Sequence, residues 1–268
     1  MRNPEIVLEL KNIAKVYKSV GSSYHTVFDG IDLQIKQGEI VTVLGRSGCG
    51  KSTLLNIIAG LDRLYRGELL VEGKIVLSAG SDRAMIFQEN ALFPWLNVIQ
   101  NIEFALREVG ISKPLRRVIA LDYLDMVGLT EFATANIHEL SGGMKQRIAI
   151  ARALVLDPKI LLMDEPFAAL DIQTRQLLYN ELLRIHRETK KTILLVTHNI
   201  EEAVILGDRV ILLSELNGKI GREFKISIPR PRNLNDSDLK SIVSEVLEEF
   251  RAMNYLSKDQ AYATTIPN

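Results

Sequence analysis

The stretch Gly45-Arg46-Ser47-Gly48-Cys49-Gly50-Lys51-Ser52-Thr53 has the spacing G-x-x-x-x-G-K-[ST], and its flanks leave little choice of fold. Ile40 to Leu44, just before it, are apolar and rich in β-branched residues, the composition of a buried strand. Behind it, Leu54, Leu55, Ile57, Ile58 and Leu61 recur at helical spacing. A strand, a glycine loop and a helix in that order predict a nest of backbone N–H groups at a helix N-terminus, where phosphate groups are held. Lys51 is expected to reach β- and γ-phosphate oxygens as a point charge, and the Ser52 hydroxyl to ligate a magnesium ion between them.

The rest of the composition narrows the class. A chain of 268 residues can bury one large α/β core with a smaller subdomain. Its 33 Lys and Arg balance 33 Asp and Glu, so no long-range positive field gathers nucleic acid, and no nucleic-acid partner is expected. The single cysteine, Cys49, lies inside the glycine loop, so the fold is not expected to rely on disulfides, and a reducing compartment fits. The opening Met-Arg-Asn-Pro lacks an apolar run behind its charge, and no apolar stretch approaches a bilayer span; Ile160 to Met163 reads as a core strand. Membrane association is therefore expected to go through a partner.

Along the chain, Ile6, Leu8 and Leu10 alternate with Val7, Glu9 and Lys11, and a second run follows at Phe28, Ile31, Leu33 and Ile35; both read as antiparallel strands. Tyr17 sits between them, read either as a rim aromatic or as a ring stacked on a base. Strands are expected at Leu69 to Val71, Ile75 to Leu77 and Ala84 to Phe87, the last ending at Gln88, read either as a plain strand-end residue or as an amide whose oxygen binds the metal and senses the γ-phosphate. Glu89 to Leu96 is an apolar and aromatic loop carrying the only tryptophan, Trp95; it either folds into the core or anchors a partner helix.

From Asn97 to about Asp157 the pattern is helical. Val98, Ile102, Ala105 and Leu106 line one face and Val118, Leu121, Leu124 and Val127 another, with breaks at Gly110, Pro114 and Gly128. The block closes with Leu140-Ser141-Gly142-Gly143-Met144-Lys145-Gln146-Arg147 at the start of a further helix. Ser141 suits an N-cap there, while Gly142 and Gly143 suit backbone approach to an anion better than they suit helix stability.

Lys159 to Met163 then form a strand tipped by Asp164 and Glu165. Carboxylates there would hold magnesium (Asp164) and polarise the attacking water (Glu165). A helix over 174–188 is expected to turn Leu177, Leu178, Leu182 and Ile185 inward, and the strand Thr192 to Thr197 ends at His198. Gln88, Asp164 and His198 each terminate a strand, so three polar tips are expected to converge on one crevice. His25, His138 and His186 are read as ordinary surface or loop residues. A strand near Phe224 to Ile228 follows a turn at Asn217-Gly218-Lys219. Pro229-Arg230-Pro231-Arg232 then breaks regular structure ahead of an amphipathic helix carrying Leu239, Ile242, Val243, Val246, Leu247 and Phe250. Residues 257–268 show no pattern.

With these pieces in order, the chain resembles the ATP-binding subunit of an ABC transporter to about residue 230. Gly45 to Thr53 looks like the Walker A loop, Gln88 the Q-loop, Leu140 to Arg147 the signature motif, Ile160 to Glu165 Walker B with the catalytic glutamate, Ala169-Leu170-Asp171 the D-loop, and His198 the switch histidine. Tyr17 falls where the family places its adenine-stacking aromatic. Phe93-Pro94-Trp95-Leu96 and Pro229-Arg230-Pro231-Arg232 are similar to the nitrate, sulfonate, taurine and aliphatic-amine importers.

The resemblance implies a P-loop NTPase, RecA-like core with an antiparallel β subdomain and an inserted helical subdomain. Its divisions would be 1–88 with 158–230, 89–157, and a C-terminal helix and tail over 231–268. It implies ATP and Mg2+, with catalytic Lys51, Gln88, Glu165 and His198, metal-binding Ser52, Gln88 and Asp164, and a nucleotide bound by Tyr17, residues 45–53 and Ser141, Gly142 and Gly143. It also implies a second cassette packed head to tail, permease subunits reached through Gln88 to Leu96, indirectly a solute-binding protein, and a place on the cytoplasmic face of the membrane. Three competitors are an ABC protein acting on nucleic acid or the ribosome, an exporter or lipoprotein-release ATPase, and a small-molecule kinase. The first would carry coiled-coil insertions or a second cassette, and the kinase would leave Leu140 to Arg147 without a purpose.

Overall fold

The structure, a computed structural model, describes residues 5–18, 24–214 and 218–263, with the side chains of the last helix described as far as residue 253. In chain order the strands are β1 (Ile6–Lys18), β2 (Tyr24–Lys36), β3 (Ile40–Leu44), β4 (Arg66–Val71), β5 (Lys74–Ile75), β6 (Arg83–Ile86), β7 (Ile160–Asp164), β8 (Thr192–Thr197), β9 (Arg209–Leu213) and β10 (Ile220–Lys225). The helices are α1 (Lys51–Ile58), α2 (Val98–Glu108), α3 (Lys113–Met126), α4 (Gly142–Leu154), α5 (Ile172–Thr189), α6 (Ile200–Leu206) and α7 (Ser237–Ala263). The chain divides into two compact units, Met1–Ser78 with Leu194–Asn268, and Ala79–Ile193, and passes from the second back to the first within β8.

In the first unit an antiparallel sheet runs in the order β2-β1-β4-β5. Register shifts between Ile6 and Leu8 and between Leu10 and Ile13 disturb the simple alternation expected of β1. As a result Val7 and Leu8 are both buried while Ile6 is partly exposed, a correction to the expected Val7-out pattern. The strand expected to run to Leu77 stops at Ile75, and Leu77 is exposed. Every residue of β3 is buried, and it pairs in parallel with β9 from Val41↔Arg209 to Leu44↔Leu212. Thr42 fits this dry position because its hydroxyl donates to the Ala203 carbonyl at 3.1 Å. Helix α1 ends at Ile58, so Leu61 lies beyond it and is exposed rather than inward. The last strand, β10, begins and ends earlier than the expected 224–228. The turn expected at Asn217-Gly218-Lys219 falls partly outside the described residues.

The amphipathic α7 lies on this unit. Leu239 and Val246 are fully buried, and Ile242, Val243, Phe250 and Met253 pack with them against Leu44, Val204, Leu212 and Phe224. The helix also continues through residues 257–263, where the sequence suggested no regular structure. Ahead of it the arginines of Pro229-Arg230-Pro231-Arg232 close the C-terminus of α6. Arg232 Nη1 donates to the carbonyls of Val204 (2.8 Å), Ile205 (3.0 Å) and Gly207 (2.6 Å), and Arg230 donates to Leu206 and pairs with Asp208 at 2.7 Å. Carbonyls left over at a helix end need such donors. Burial, with the like charge of Arg230 adding to it, pushes the Arg232 guanidinium down to about 10 despite Asp208.

In the second unit β6 and β7 pair in parallel from Arg83↔Ile160 to Ile86↔Met163, and α2, α3 and α4 pack through Ile102, Leu106, Leu124, Val127 and Ile148, all buried. Two sequence expectations shift by one helical face: Val118 is 57% exposed, with Ala120 buried instead, and Leu177 is 62% exposed beside a buried Leu178. Ala120 and Leu178 each lie four residues, about one helical turn, before Leu124 and Leu182, whereas Val118 and Leu177 fall well off that stripe. Pro114 opens α3 in its first turn, where its missing N–H costs no hydrogen bond.

Candidate functional site

The first unit holds the glycine loop. Helices α2, α4, α5 and α6 each begin with a side-chain cap from Asn97, Ser141, Asp171 and Asn199. Helix α1 starts instead from Gly50 in the left-handed region (φ 102°) with no side-chain cap, so its first-turn N–H groups are not taken up by one. A Cβ on Gly50 would lie 2.6 Å from Val27 and 2.8 Å from the Phe28 ring, so β2 is packed directly beneath the loop. Gly45 is equally confined, since a Cβ there would meet Cys49 Sγ at 2.4 Å. Lys51 is buried, and its ammonium donates to the carbonyls of Gly45 (2.9 Å) and Arg46 (3.0 Å) at the loop itself. Arg46, Ser47, Gly48 and Ser52 are exposed, and Thr53 is half-buried. Gly45 N–H donates to Thr197 O at 3.4 Å, which puts His198, exposed one residue later, at the same strand ends.

The second unit holds the carboxylates. Ile86 and Met163 are register partners, so Gln88 and the Asp164-Glu165 pair emerge from the same ends of β6 and β7, with Gln88 exposed and both acids half-buried. Glu165 has φ 43°, a left-handed conformation in a residue with a side chain, and backbone strain of this kind is concentrated at sites where a side chain must be aimed. Within this unit the Asp164 carboxylate and the Gln88 amide offer hard oxygens, the donor type that suits magnesium.

The signature segment lies at the start of α4. Ser141 Oγ accepts from Met144 N–H at 3.3 Å, and a Cβ on Gly143 would come within 2.8 Å of Thr174 in α5, while one on Gly142 would meet Leu170 at 3.1 Å. Gly143 is thus required by close packing as well as by any approach to an anion, a second demand that the sequence did not disclose.

One side-chain device was invisible in the sequence. Asn90 and Ala91, in the loop after Gln88, have φ of 32° and 46°. Arg152 of α4 donates to both of their carbonyls (3.1 and 2.8 Å) and lies over the Phe93 ring at 5.3 Å. The fully buried Asn101 accepts from Phe93 N–H (2.8 Å) and donates to the carbonyls of Phe93, Leu96 and Asn97. Beside this loop opens a largely apolar groove of roughly 680 Å3 lined by Met85, Phe87, Phe93, Phe104, Val109 and Arg152. Trp95 is not folded into the core but 75% exposed, its ring 5.4 Å from that of Phe93.

A family model described as ABC transporter matches residues 28–168, more than half of the chain. The chain belongs to the ABC transporter family. The cassette is 48% identical over 85% of its length, and 85% of the other's, to the uncharacterized ABC transporter ATP-binding protein MJ0412 from Methanocaldococcus jannaschii. It is 47% identical, over 83% of each chain, to the nitrate import ATP-binding protein NrtD of Synechocystis. It also matches the bicarbonate transport ATP-binding protein CmpC of Synechococcus elongatus at 45% identity, spanning about a third of that longer protein. Among solved structures, the ATP-binding cassette MJ0796, a dimer in a post-hydrolysis state with ADP and Pi, aligns with TM-score 0.72 and 35% identity over 83% of this chain and all of the other. CbiO1 of Clostridium perfringens, part of the ABC transporter complex cbiONQ, aligns with TM-score 0.76 and 25% identity over 95% of this chain and 99% of the other. The cassette therefore has the P-loop NTPase fold and is an ATPase. Among the described residues no helix is long and apolar enough to cross a membrane.

Proposed function

We propose that this cassette is the energy-supplying subunit of an ABC importer for a small anionic, organosulfur or nitrogenous solute, working as a pair of copies on the cytoplasmic face of a membrane. The observation that carries the reading is the apolar groove beside an exposed Trp95, next to the loop that follows Gln88. An ATPase that only turned over nucleotide has no use for such a surface, whereas one that moves a permease needs a place to grip it. The similarity to NrtD and CmpC supports import of a small anion and leaves the solute itself to the permease and a solute-binding protein.

In this reading the uncapped N-terminus of α1 and the ammonium of Lys51 hold the triphosphate, and Tyr17 stacks on the adenine. Ser52, Gln88 and Asp164 are the oxygen donors for magnesium, which when bound offsets charge on the β- and γ-phosphate oxygens. Glu165 orients the attacking water and takes its proton, and His198 steadies the γ-phosphoryl group. Ser141, Gly142 and Gly143 of a second copy cover the same triphosphate, so hydrolysis and phosphate release weaken the pair and let it open.

The test is reconstitution with the permease. A matching solute presented with its binding protein should raise ATP turnover, and replacing Trp95 and Leu96 with Ser should abolish co-purification with the permease. Unchanged co-purification and transport in that variant would remove the groove from the permease contact.

A further inference from the structure

The phosphate loop leaves unexplained an ion pair in the same unit whose cation is buried. Lys15, only 2% exposed, has its ammonium 2.7 Å from the Asp62 carboxylate and donates to the Leu64 carbonyl at 2.7 Å. Asp62 in turn accepts from Leu64 N–H (3.0 Å) and from the Tyr17 hydroxyl (2.9 Å). The same ammonium stands over the Tyr17 ring, 4.4 Å from its centre. Tyr17 is nonetheless 42% exposed. Burying the Lys15 ammonium costs desolvation that one partly exposed carboxylate offsets only in part, so the pair invites a reading besides stability.

We infer that Lys15 and Asp62 are positioning residues for base recognition, holding the Tyr17 ring by its hydroxyl and by one face so that a purine can stack on the other. The inference rests on the reading of Tyr17 as the adenine-stacking residue. A tether at the phenol oxygen and a cation against the ring fix both side-chain torsions before the nucleotide arrives, so binding does not have to order the ring. The cation also draws ring electron density toward itself, which lessens repulsion against the electron-rich face of a purine. Lys15 is the register partner of Phe28, and the Phe28 ring is what a Cβ on Gly50 would strike. One pair of strands therefore carries the ring anchor at one place and the floor of the phosphate loop at another, which sets the span between base and triphosphate. Burial opposes ionisation of Asp62, but the hydrogen bonds from Lys15, Leu64 N–H and Tyr17 hold its carboxyl below the usual range, so the tether persists at working pH.

The experiment compares dissociation constants for MgATP, MgCTP and inorganic tripolyphosphate in the full chain and in Tyr17→Ala, Tyr17→Phe, Asp62→Ala, Asp62→Asn and Lys15→Met. Asp62→Ala and Lys15→Met should weaken MgATP about two- to tenfold, the cost of ordering one large side chain. They should bring it toward MgCTP, leave tripolyphosphate unchanged, and add nothing on top of Tyr17→Ala. Tyr17→Phe, which removes one hydroxyl and leaves the fold alone, should lose part of the same factor, and Asp62→Asn, still an acceptor for that hydroxyl, should recover part of it. Equal weakening of MgATP and tripolyphosphate would overturn the inference in favour of a structural role. So would an effect of Tyr17→Ala that neither Tyr17→Phe nor Asp62→Ala shares. If Tyr17→Ala itself leaves MgATP binding unchanged, the stacking reading fails and this inference with it.

Discussion

Two loops of this cassette do opposite things with the left-handed region of backbone space. The phosphate loop reaches it through Gly48 and Gly50, residues that pay no steric penalty there, and is otherwise shaped by its own carbonyls and by Lys51 folded back on them. The loop after Gln88 reaches it through Asn90 and Ala91, and is held by Arg152 and Asn101 from other helices. The first loop takes its left-handed conformation from its own glycines and, in the proposed function, binds a ligand that never changes. The second borrows its conformation from its surroundings, in keeping with the proposal that it meets a partner whose sequence differs from one transporter to the next.

The largest effects should come from breaking the self-contained loop and its chemistry. Lys51→Ala removes the charge that the proposed function assigns to the phosphates and should lower turnover by about a hundred- to a thousandfold in a steady-state phosphate-release assay. Glu165→Gln should fall comparably in turnover while still binding ATP and accumulating a closed pair on size exclusion; full turnover in that variant would take the base role away from Glu165. Gly50→Ala should lose nucleotide binding as well, because its Cβ would overlap Val27 and Phe28 in a conformation already disfavoured for alanine.

The borrowed loop should respond more gently and elsewhere. Arg152→Ala removes charge-assisted hydrogen bonds to two carbonyls, worth about 2 kcal/mol together with its packing on Phe93, measurable as a lower denaturation midpoint. Its second expected consequence is loss of permease co-purification, since Arg152 also lines the groove. Arg152→Lys should repair little of this, because an ammonium lacks the fork that reaches both carbonyls.

The same contrast explains what could be read from the sequence. The phosphate loop, the capped α4 and the strand Ile160–Asp164 are determined by neighbours in the chain, and their residues stand in the elements expected of them. What stayed hidden depends on distant pairing. Lys15 and Asp62 are 47 positions apart, Arg152 is 61 positions from Ala91, and Arg232 caps a helix that ended 26 residues earlier. In each case the polar side chain reads as an ordinary surface charge until the fold supplies its partner. The misplaced faces of α3 and α5 have a different origin, since apolar residues such as Val118 and Leu177 fit a second helical stripe in the sequence and only packing selects one.

The smallest effect is the sharpest test of the contrast. At Gly48 a Cβ would meet nothing within 4 Å, so Gly48→Ala isolates the backbone term, about 1–2 kcal/mol for a left-handed alanine. At Ala91 the exchange runs the other way. Ala91→Gly relieves that penalty but gives the unfolded chain more freedom, so its own effect on stability should stay under about 1 kcal/mol. The informative quantity is its coupling to Arg152. If Arg152 serves to hold Ala91 in a conformation it would otherwise leave, then Arg152→Ala should cost about 1 kcal/mol less in the Ala91→Gly background than in the native one. An additive pair in this double-mutant cycle would mean that the loop keeps its shape without the arginine, and the distinction between a loop that carries its own conformation and one that borrows it would not hold.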